Sequence, residues 1–128
     1  MHRLSGIVTP ASAAYTTDEL VNQLQTSASK AIFTCVKLLP TALKAARACN
    51  ITSDRVYLLQ LPDDPISLPK HATFNDLVAE GKALPKLEAL KWAKGQGKRQ
   101  TAFLSYSSGT SGLPVGDEMS SSSFTKDT

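Results

Sequence analysis

The sequence predicts an α/β fold, a partial doubly wound and mostly parallel sheet with flanking helices, which ends in a polar loop and a disordered serine-rich tail. Three observations support this prediction. Short apolar, β-branched runs alternate with helical patterns in the order strand, helix, strand, helix, strand, which is typical of a parallel sheet. The 128 residues suffice for one domain or part of one, and 41% of them are apolar. The crossovers are expected to be right-handed.

The first predicted elements are a strand over residues 4–9, which stops at Pro10, and a helix that begins after Thr16. Thr16 is placed to cap this helix, and Glu19, three residues later, completes a capping box. Its apolar stripe consists of Leu20, Val21, Leu24 and Ala28.

A second strand is predicted over residues 31–36, a helix over 37–50 and a third strand over 55–59. Pro40 fits the first turn of the helix and Asn50 its C-terminal end. The apolar side of the helix comprises Leu38, Leu39, Ala42, Ala45, Ala46 and Cys49.

The rest of the sheet pattern is weaker. Residues 61–71, rich in Pro and Asp, predict a surface loop, and residues 73–80 a short helix that Gly81 stops. Residues 84–99 are ambiguous, and 101–106 predict a strand that runs into a polar loop.

That loop is the densest run of hydroxyls and glycines in the chain, Ser-Tyr-Ser-Ser-Gly-Thr-Ser-Gly-Leu-Pro over residues 105–114. Glycines allow tight turns that expose backbone N–H groups, and hydroxyls can donate to phosphate oxygens. The run is neither a Walker A loop, because Leu113 follows Gly112, nor a GxGxxG motif. A flexible Ser/Gly linker is the alternative, although a strand leads directly into the run.

After Pro114 the composition changes, and residues 115–128 contain four consecutive serines and few apolar side chains. The predicted organisation is therefore a folded part over 1–114 and a disordered tail over 115–128.

Composition argues against several classes of protein. The net charge of +3 is mild. A nucleic-acid surface would need aromatics among the basic residues, and only Trp92 is there, so no nucleic-acid partner is expected. The local basic cluster is interpreted as a solvated surface and comprises Lys86, Lys91, Lys94, Lys98 and Arg99.

No metal site is expected. Cys35 and Cys49 lack metal-ligand spacing and are interpreted as small buried hydrophobes. His71, with Asp63 and Asp64 nearby, fits a solvated loop better than a metal or acid–base site.

The sequence also predicts a location. It shows no signal-peptide pattern, no apolar run near the roughly 20 residues of a membrane span and no C-terminal peroxisomal signal. We expect a soluble, intracellular and by default cytoplasmic protein.

Residues 106–114 resemble the phosphate-binding loop of the AMP-forming acyl-activating enzymes, which reads roughly [ST]-[SG]-G-[ST]-[TS]-G-x-P-K. A second segment, residues 6–20, resembles the stretch G-x-x-x-x-x-A-N-P-x-Y-T-x-x-E-L of coumarate–CoA-ligase-like enzymes, with Ser12 and Ala13 where Asn and Pro are usual. The two stand in the family's order and at about its separation. The overall character is closest to fungal coumarate–CoA-ligase-like or aryl/acyl-CoA ligases.

The resemblance implies an ATP-dependent acyl-CoA ligase. Such enzymes join a carboxylic acid to AMP, release pyrophosphate with the help of Mg²⁺, and then transfer the acyl group to coenzyme A. The residues that match the ATP phosphate-binding loop are Ser107, Ser108, Gly109, Thr110, Ser111, Gly112 and Pro114. Thr110 and Ser111 are the best candidates for direct hydroxyl contact. No catalytic residue and no metal ligand is expected within this chain.

The departures from the family imply that this chain is a fragment of the N-terminal domain, inactive by itself. Val115 stands where the family has Lys, and Asp117 and Glu118 bring negative charge near a triphosphate. Two alternatives remain. The chain is a non-enzymatic α/β remnant that acts through protein contacts, with self-association through exposed sheet edges, or the loop resemblance is chance.

Overall fold

The computed structural model describes residues 5–62, 64, 70–88, 91, 93–107 and 115–120. The chain divides into two compact units, Ala13–Lys86 and Met1–Ser12 with Leu87–Thr128. No helix within the described ranges combines the length and apolar character needed to cross a membrane.

The unit formed by Ala13–Lys86 alternates helices and short strands. Its elements are α1 (Thr17–Thr26), β1 (Ile32–Thr34), α2 (Leu39–Ala48), β2 (Val56–Leu58) and α3 (Phe74–Ala83), with single 3₁₀ turns over Val36–Leu38 and Ser53–Arg55. The alternating order expected for a parallel sheet is thus present.

Helix α1 begins where the predicted capping box places it. The Glu19 N–H donates to the Thr16 hydroxyl at 3.4 Å, and the Thr16 N–H donates to the Glu19 carboxylate at 2.8 Å. These bonds satisfy donors that have no partner within the helix. The capping-box prediction is confirmed.

Helix α2 begins with Pro40 in its first turn and ends where Asn50 takes a left-handed conformation with φ 56°. The Ile51 N–H reaches back to the Ala46 carbonyl at 2.9 Å, and the Asn50 N–H to the Arg47 carbonyl at 3.3 Å. These bonds form a Schellman motif, which asparagine tolerates better than most residues. The terminus predicted at Asn50 is confirmed.

Strands β1 and β2 pair in parallel, with Ile32 opposite Val56 and Thr34 opposite Leu58. The core lies between this sheet and α1 and α2. Its buried members are Leu24, Ile32, Leu39, Ala42, Ala45, Ala46, Ile51, Val56 and Leu58. A small parallel sheet with flanking helices agrees with the predicted fold class.

Some predicted boundaries are wrong. Helix α3 continues through Gly81 to Ala83, so Gly81 does not stop it, because an internal glycine costs a helix only about 1 kcal/mol. In the stretch predicted as a first strand, Val8 makes a single bridge to Phe103, and Leu4 lies outside the described residues.

The unit containing Leu87–Thr128 holds α4 (Gln96–Arg99), β3 (Thr101–Ser107) and β4 (Val115–Ser120). Strands β3 and β4 are antiparallel. The expectation of disorder from residue 115 is therefore wrong for 115–120. The prediction of disorder rested on the scarcity of apolar side chains. Residues 115–120 are ordered because their backbone pairs with β3.

Candidate functional site

The candidate site is the segment that connects strands β3 and β4. In the register of the two strands Ser107 lies opposite Val115 and Tyr106 opposite Gly116. Opposite residues of an antiparallel pair are about 4.5–5.5 Å apart at Cα. The hairpin therefore holds the two ends of the segment 108–114 close together.

The structure describes only one of the predicted phosphate-binding residues. Ser107 is the last residue of β3, where the backbone pairs with that of Val115. Outside the described residues lie Ser108, Gly109, Thr110, Ser111, Gly112 and Pro114. Their contacts with phosphate stay a prediction, while the hairpin gives the position of both ends of the loop.

Strand β3 is held on its other edge as well. The Val8 N–H donates to the Ala102 carbonyl at 3.0 Å, and the Leu104 N–H donates to the Val8 carbonyl at 3.0 Å. A shift in the β3–β4 register between Thr101 and Phe103 leaves Ala102 as the additional residue of a bulge. Ala102 is buried. The bulge therefore packs the base of the hairpin, the end away from residues 108–114.

Two described basic residues of this unit, Lys98 and Arg99, lie at the end of the hairpin away from the segment 108–114. Lys98 and Arg99 are exposed and sit in α4, directly before β3 begins at Thr101. Six residue steps from Thr101 to Ser107 span about 20 Å. Lys98 and Arg99 therefore lie far from Ser107, the residue at which the candidate segment begins.

The predicted basic cluster is on the surface throughout. All of its members are exposed, namely Lys86, Lys91, Lys94, Lys98 and Arg99. This agrees with a solvated surface. Trp92 lies outside the described residues.

Beyond the loop, the register places acidic residues on the returning strand. Asp117 pairs with Ser105, and Glu118 pairs with Leu104. With Val115 as the first residue of β4, the positions next to the turn supply no positive charge. By sequence, residues 107–112 contain hydroxyls and glycines, whose hydroxyl and backbone N–H groups would suit phosphate oxygens but would bind weakly without further cations.

The other unit contains a groove of about 330 Å³ at the C-terminal ends of α1 and α2. Its lining consists of Ser29, Lys30, Cys49, Asn50, Ile51, Thr52 and Arg55. Lys30 and Arg55 are exposed, and helix C-termini carry partial negative charge, which cations at these positions offset. The groove has hydroxyl, amide and cationic donors, but none of the predicted phosphate-binding residues is in its lining.

The remaining candidate residues have structural roles. The Asp64 carboxylate accepts from the Leu61 N–H at 2.8 Å, which closes a turn, and Asp63 lies outside the described residues. Cys49 is a free thiol whose Sγ lies 3.7 Å from the Val21 carbonyl, and burial raises its pKa. Among the described residues no group of three or more His, Cys, Asp or Glu side chains could hold a metal ion.

Two of the carboxylates with lowered pKa values lie in helix caps. The backbone N–H and the hydroxyl of Thr16 donate to Glu19, and those of Thr73 donate to Asp76. These bonds favour the charged form of each carboxylate. Both shifts belong to helix caps and not to a catalytic pair, as the sequence predicted for Glu19.

Sequence reasoning missed the β4 strand and the bridge at Val8. Strand β4 lacks the clear alternation of apolar and polar residues that predicts a strand, because it contains Gly116 and two consecutive acidic residues. A more useful signal was the span of seven residues, 108–114, rich in turn-forming glycine and serine, between a strand and a valine.

The family model described as "AMP-binding enzyme" matches residues 1–126. The match extends past the predicted boundary at residue 114. The interpretation of residues 106–114 as part of such an enzyme is thus supported by a comparison over nearly the whole chain.

Curated relatives bear the name acyl-CoA ligase. Acyl-CoA ligase cm3C of Cordyceps militaris is 40% identical over 118 residues, which cover 88% of this chain and 18% of that protein. Acyl-CoA ligase easD of Emericella nidulans is 35% identical over 116 residues, which cover 88% of this chain and 20% of that protein. The chain thus spans about a fifth of the length of these fungal relatives.

Solved structures show the same fold. A red-emitting luciferase from Phrixothrix hirtus matches with a TM-score of 0.70 and 22% identity, over 91% of this chain and 27% of the luciferase. An acyl-CoA synthetase from Brucella canis matches with a TM-score of 0.63 and 20% identity, over 93% of this chain and 19% of the synthetase.

Proposed function

We propose, because the chain belongs to the AMP-binding enzyme family, that it supplies the part of an ATP-dependent acyl-CoA ligase that grips the departing pyrophosphate. The observation that carries the proposal is the register that places Ser107 opposite Val115, the two residues that flank the segment 108–114. A segment held at both ends can present several donors to one phosphate chain with little loss of entropy.

In this reaction the carboxylate of an acid attacks the α-phosphate of ATP and forms an acyl-adenylate, and pyrophosphate leaves. Coenzyme A then displaces AMP. Charge accumulates on the phosphate oxygens during the first step, so donors placed there in advance stabilise the transition state. The hydroxyls of Thr110 and Ser111 and the N–H groups around Gly109 and Gly112 would serve this purpose. Mg²⁺, when bound, would neutralise part of the phosphate charge.

The isolated chain is proposed to lack adenylation activity. Contacts confined to a loop must offset the translational and ordering entropy lost when ATP binds, and Val115 adds no charge to help. In such a ligase, residues other than those of this segment would bind the acid substrate and coenzyme A. The carboxylic acid itself is not specified by these residues.

A graft tests the role of the loop. Residues 101–120 replace the corresponding hairpin of Acyl-CoA ligase cm3C, and ATP–pyrophosphate exchange is measured with a panel of carboxylic acids. We expect the double substitution Thr110→Ala, Ser111→Ala to slow exchange by about 100-fold, as for removal of a transition-state donor. Ser105→Ala, within β3, is the matched control and should change little. Equal rates for both variants would contradict the proposal.

A further inference from the structure

Four cations follow one another closely in the chain before strand β3. Lys91, Lys94, Lys98 and Arg99 are all exposed and are here called the basic patch. All four belong to the unit that contains Leu87–Thr128, so their arrangement does not depend on the other unit. The basic patch is therefore a surface of one compact part of the chain.

The backbone gathers most of the basic patch into one short turn. The Gln96 N–H donates to the Ala93 carbonyl at 3.0 Å, and Gly95, with φ 81°, lets the chain turn directly into α4. Because a helix advances only about 1.5 Å per residue, the backbone from Lys94 to Arg99 extends over about 10 Å or less. Three cations are thus presented from one small region.

Little negative charge lies near these cations. The sequence contains no Asp or Glu over residues 89–116, and Glu88 is the one acid within residues 87–99, which carry four cations and a net charge of +3. On strand β4, Asp117 and Glu118 pair with residues at least three steps beyond the start of β3. Three steps along a strand span about 10 Å, so these acids lie away from α4.

The basic patch also has apolar neighbours at the surface. Leu87 is 54% exposed, and Ala93, which lies in the sequence between two of the lysines, is exposed as well. Cations beside exposed apolar side chains suit the surface of an anionic membrane, where the cations meet lipid head groups and the apolar groups reach the acyl boundary. An acidic polypeptide would match the charge alone.

We propose that the basic patch is a peripheral docking surface for membranes that contain anionic lipids. The negative charge of the lipid head groups is what it recognises, and Leu87 adds apolar contact. Each cation near such a surface raises the partition coefficient by about fivefold, so four give measurable binding, which salt weakens. The inference goes beyond the phosphate-loop function and does not depend on it.

Cosedimentation with vesicles tests this proposal. The purified 128-residue chain is mixed with vesicles of phosphatidylcholine alone, or of phosphatidylcholine with roughly one-third phosphatidylserine, in about 0.1 M salt. We expect partitioning to the phosphatidylserine vesicles to be about tenfold or more above that to phosphatidylcholine, and to be lost in about 1 M salt. The emission of Trp92, the single tryptophan, should shift to shorter wavelength with the phosphatidylserine vesicles only.

Matched variants locate the surface. Lys94→Gln with Lys98→Gln should lower partitioning by about tenfold or more, whereas arginine at both positions should preserve it. Lys44→Gln with Arg47→Gln is the control, because both residues are exposed in α2 and the net charge falls by the same amount. Leu87→Gln should lower partitioning by about threefold or more through lost apolar contact. Circular dichroism establishes that each variant is folded.

Several outcomes would overturn the proposal. These are the absence of sedimentation with phosphatidylserine vesicles, equal partitioning to both kinds of vesicle, and equal losses in the patch variant and the α2 variant. A chain that binds polyglutamate but not the vesicles would assign the basic patch to an acidic polypeptide and would overturn it as well. Because no nucleotide is present, failure here is distinguishable from failure of the phosphate-loop function.

Discussion

Glu19 shows how a single carboxylate contributes to this fold. The backbone and hydroxyl bonds from Thr16 lower its pKa below the ordinary value of 4.5. Because the pKa of Glu19 is lower in the folded state than in the unfolded state, its charged form stabilises the fold. This contribution to the free energy of unfolding is fully present above pH 4.5 and is lost as the pH falls through the pKa of Glu19 in the folded state. The cap therefore stabilises α1 at neutral pH and weakens in acid.

Glu19→Gln tests this dependence. We expect the variant to have a lower melting temperature than the parent chain at pH 7, because an uncharged amide is a weaker acceptor at the cap. Well below pH 4.5 the two should converge, since Glu19 is then protonated. The measurement is thermal unfolding by circular dichroism from pH 7 to pH 3. A constant difference across that range would contradict the assignment.

The backbone conformation of Ala28 destabilises the folded state locally. It follows α1 with φ 50°, a left-handed conformation that disfavours a Cβ atom. Ala28→Gly should stabilise the fold by about 0.5 kcal/mol, the relief of strain less the added freedom of the unfolded chain. Ala79→Gly, in α3, should destabilise it by about 0.5–1 kcal/mol. Urea unfolding measures both, and the same sign for both would exclude strain at Ala28.

Val115 stands where the loop motif that residues 106–114 resemble has Lys. In the grafted ligase, Val115→Lys should lower the KM for ATP by about three- to tenfold, because a cation next to the turn strengthens phosphate binding. Val115→Gln is the uncharged control. Initial-rate kinetics of ATP–pyrophosphate exchange measure the effect. Equal KM values for the two variants would show that charge at this position does not reach the phosphates.

At the scale of elements, α2 and β2 form the most tightly packed part of the chain. Ala45 of α2 and both Val56 and Leu58 of β2 are 0% exposed. Alanines on this side of α2 let the helix approach the sheet closely. Stability of the Ala13–Lys86 unit therefore depends on small side chains in the helix and large ones in the strands.

Leu58→Ala should destabilise the chain by about 2–5 kcal/mol, because it leaves a cavity where the side chain is fully enclosed. Leu61→Ala is the matched control, since Leu61 is 48% exposed and should change stability by less than about 0.5 kcal/mol. Chemical denaturation compares the two. Similar losses for both variants would mean that the core is not centred on β2.

The elements also show what the sequence could predict. Both helices with a hydroxyl cap, α1 and α3, begin directly after the residue that sequence analysis placed at their start, because a capping box is a local signal. Strand β4 was missed, because its order comes from pairing with β3 and not from its own composition. The end of α3 was missed because Gly81 is only a weak stop.

At the scale of the whole molecule, the chain belongs to the AMP-binding enzyme family. The sequence could predict this family because the loop motif and the segment at residues 6–20 are local patterns. It could not predict the anchoring of β3 by Val8, because that depends on which segments meet in space. The pairing of Ser107 with Val115, the residues on either side of the loop, is likewise a property of the strand register.

ATP–pyrophosphate exchange by the purified 128-residue chain tests most directly whether it holds only part of an adenylation site. With Mg²⁺, ATP and a panel of carboxylic acids, we predict a rate equal to that of the protein-free control. The grafted ligase, measured in parallel, shows that the assay detects exchange. An acid-dependent rate above the control, lost in the Thr110→Ala, Ser111→Ala variant, would contradict the account, because the chain would then contain a complete site.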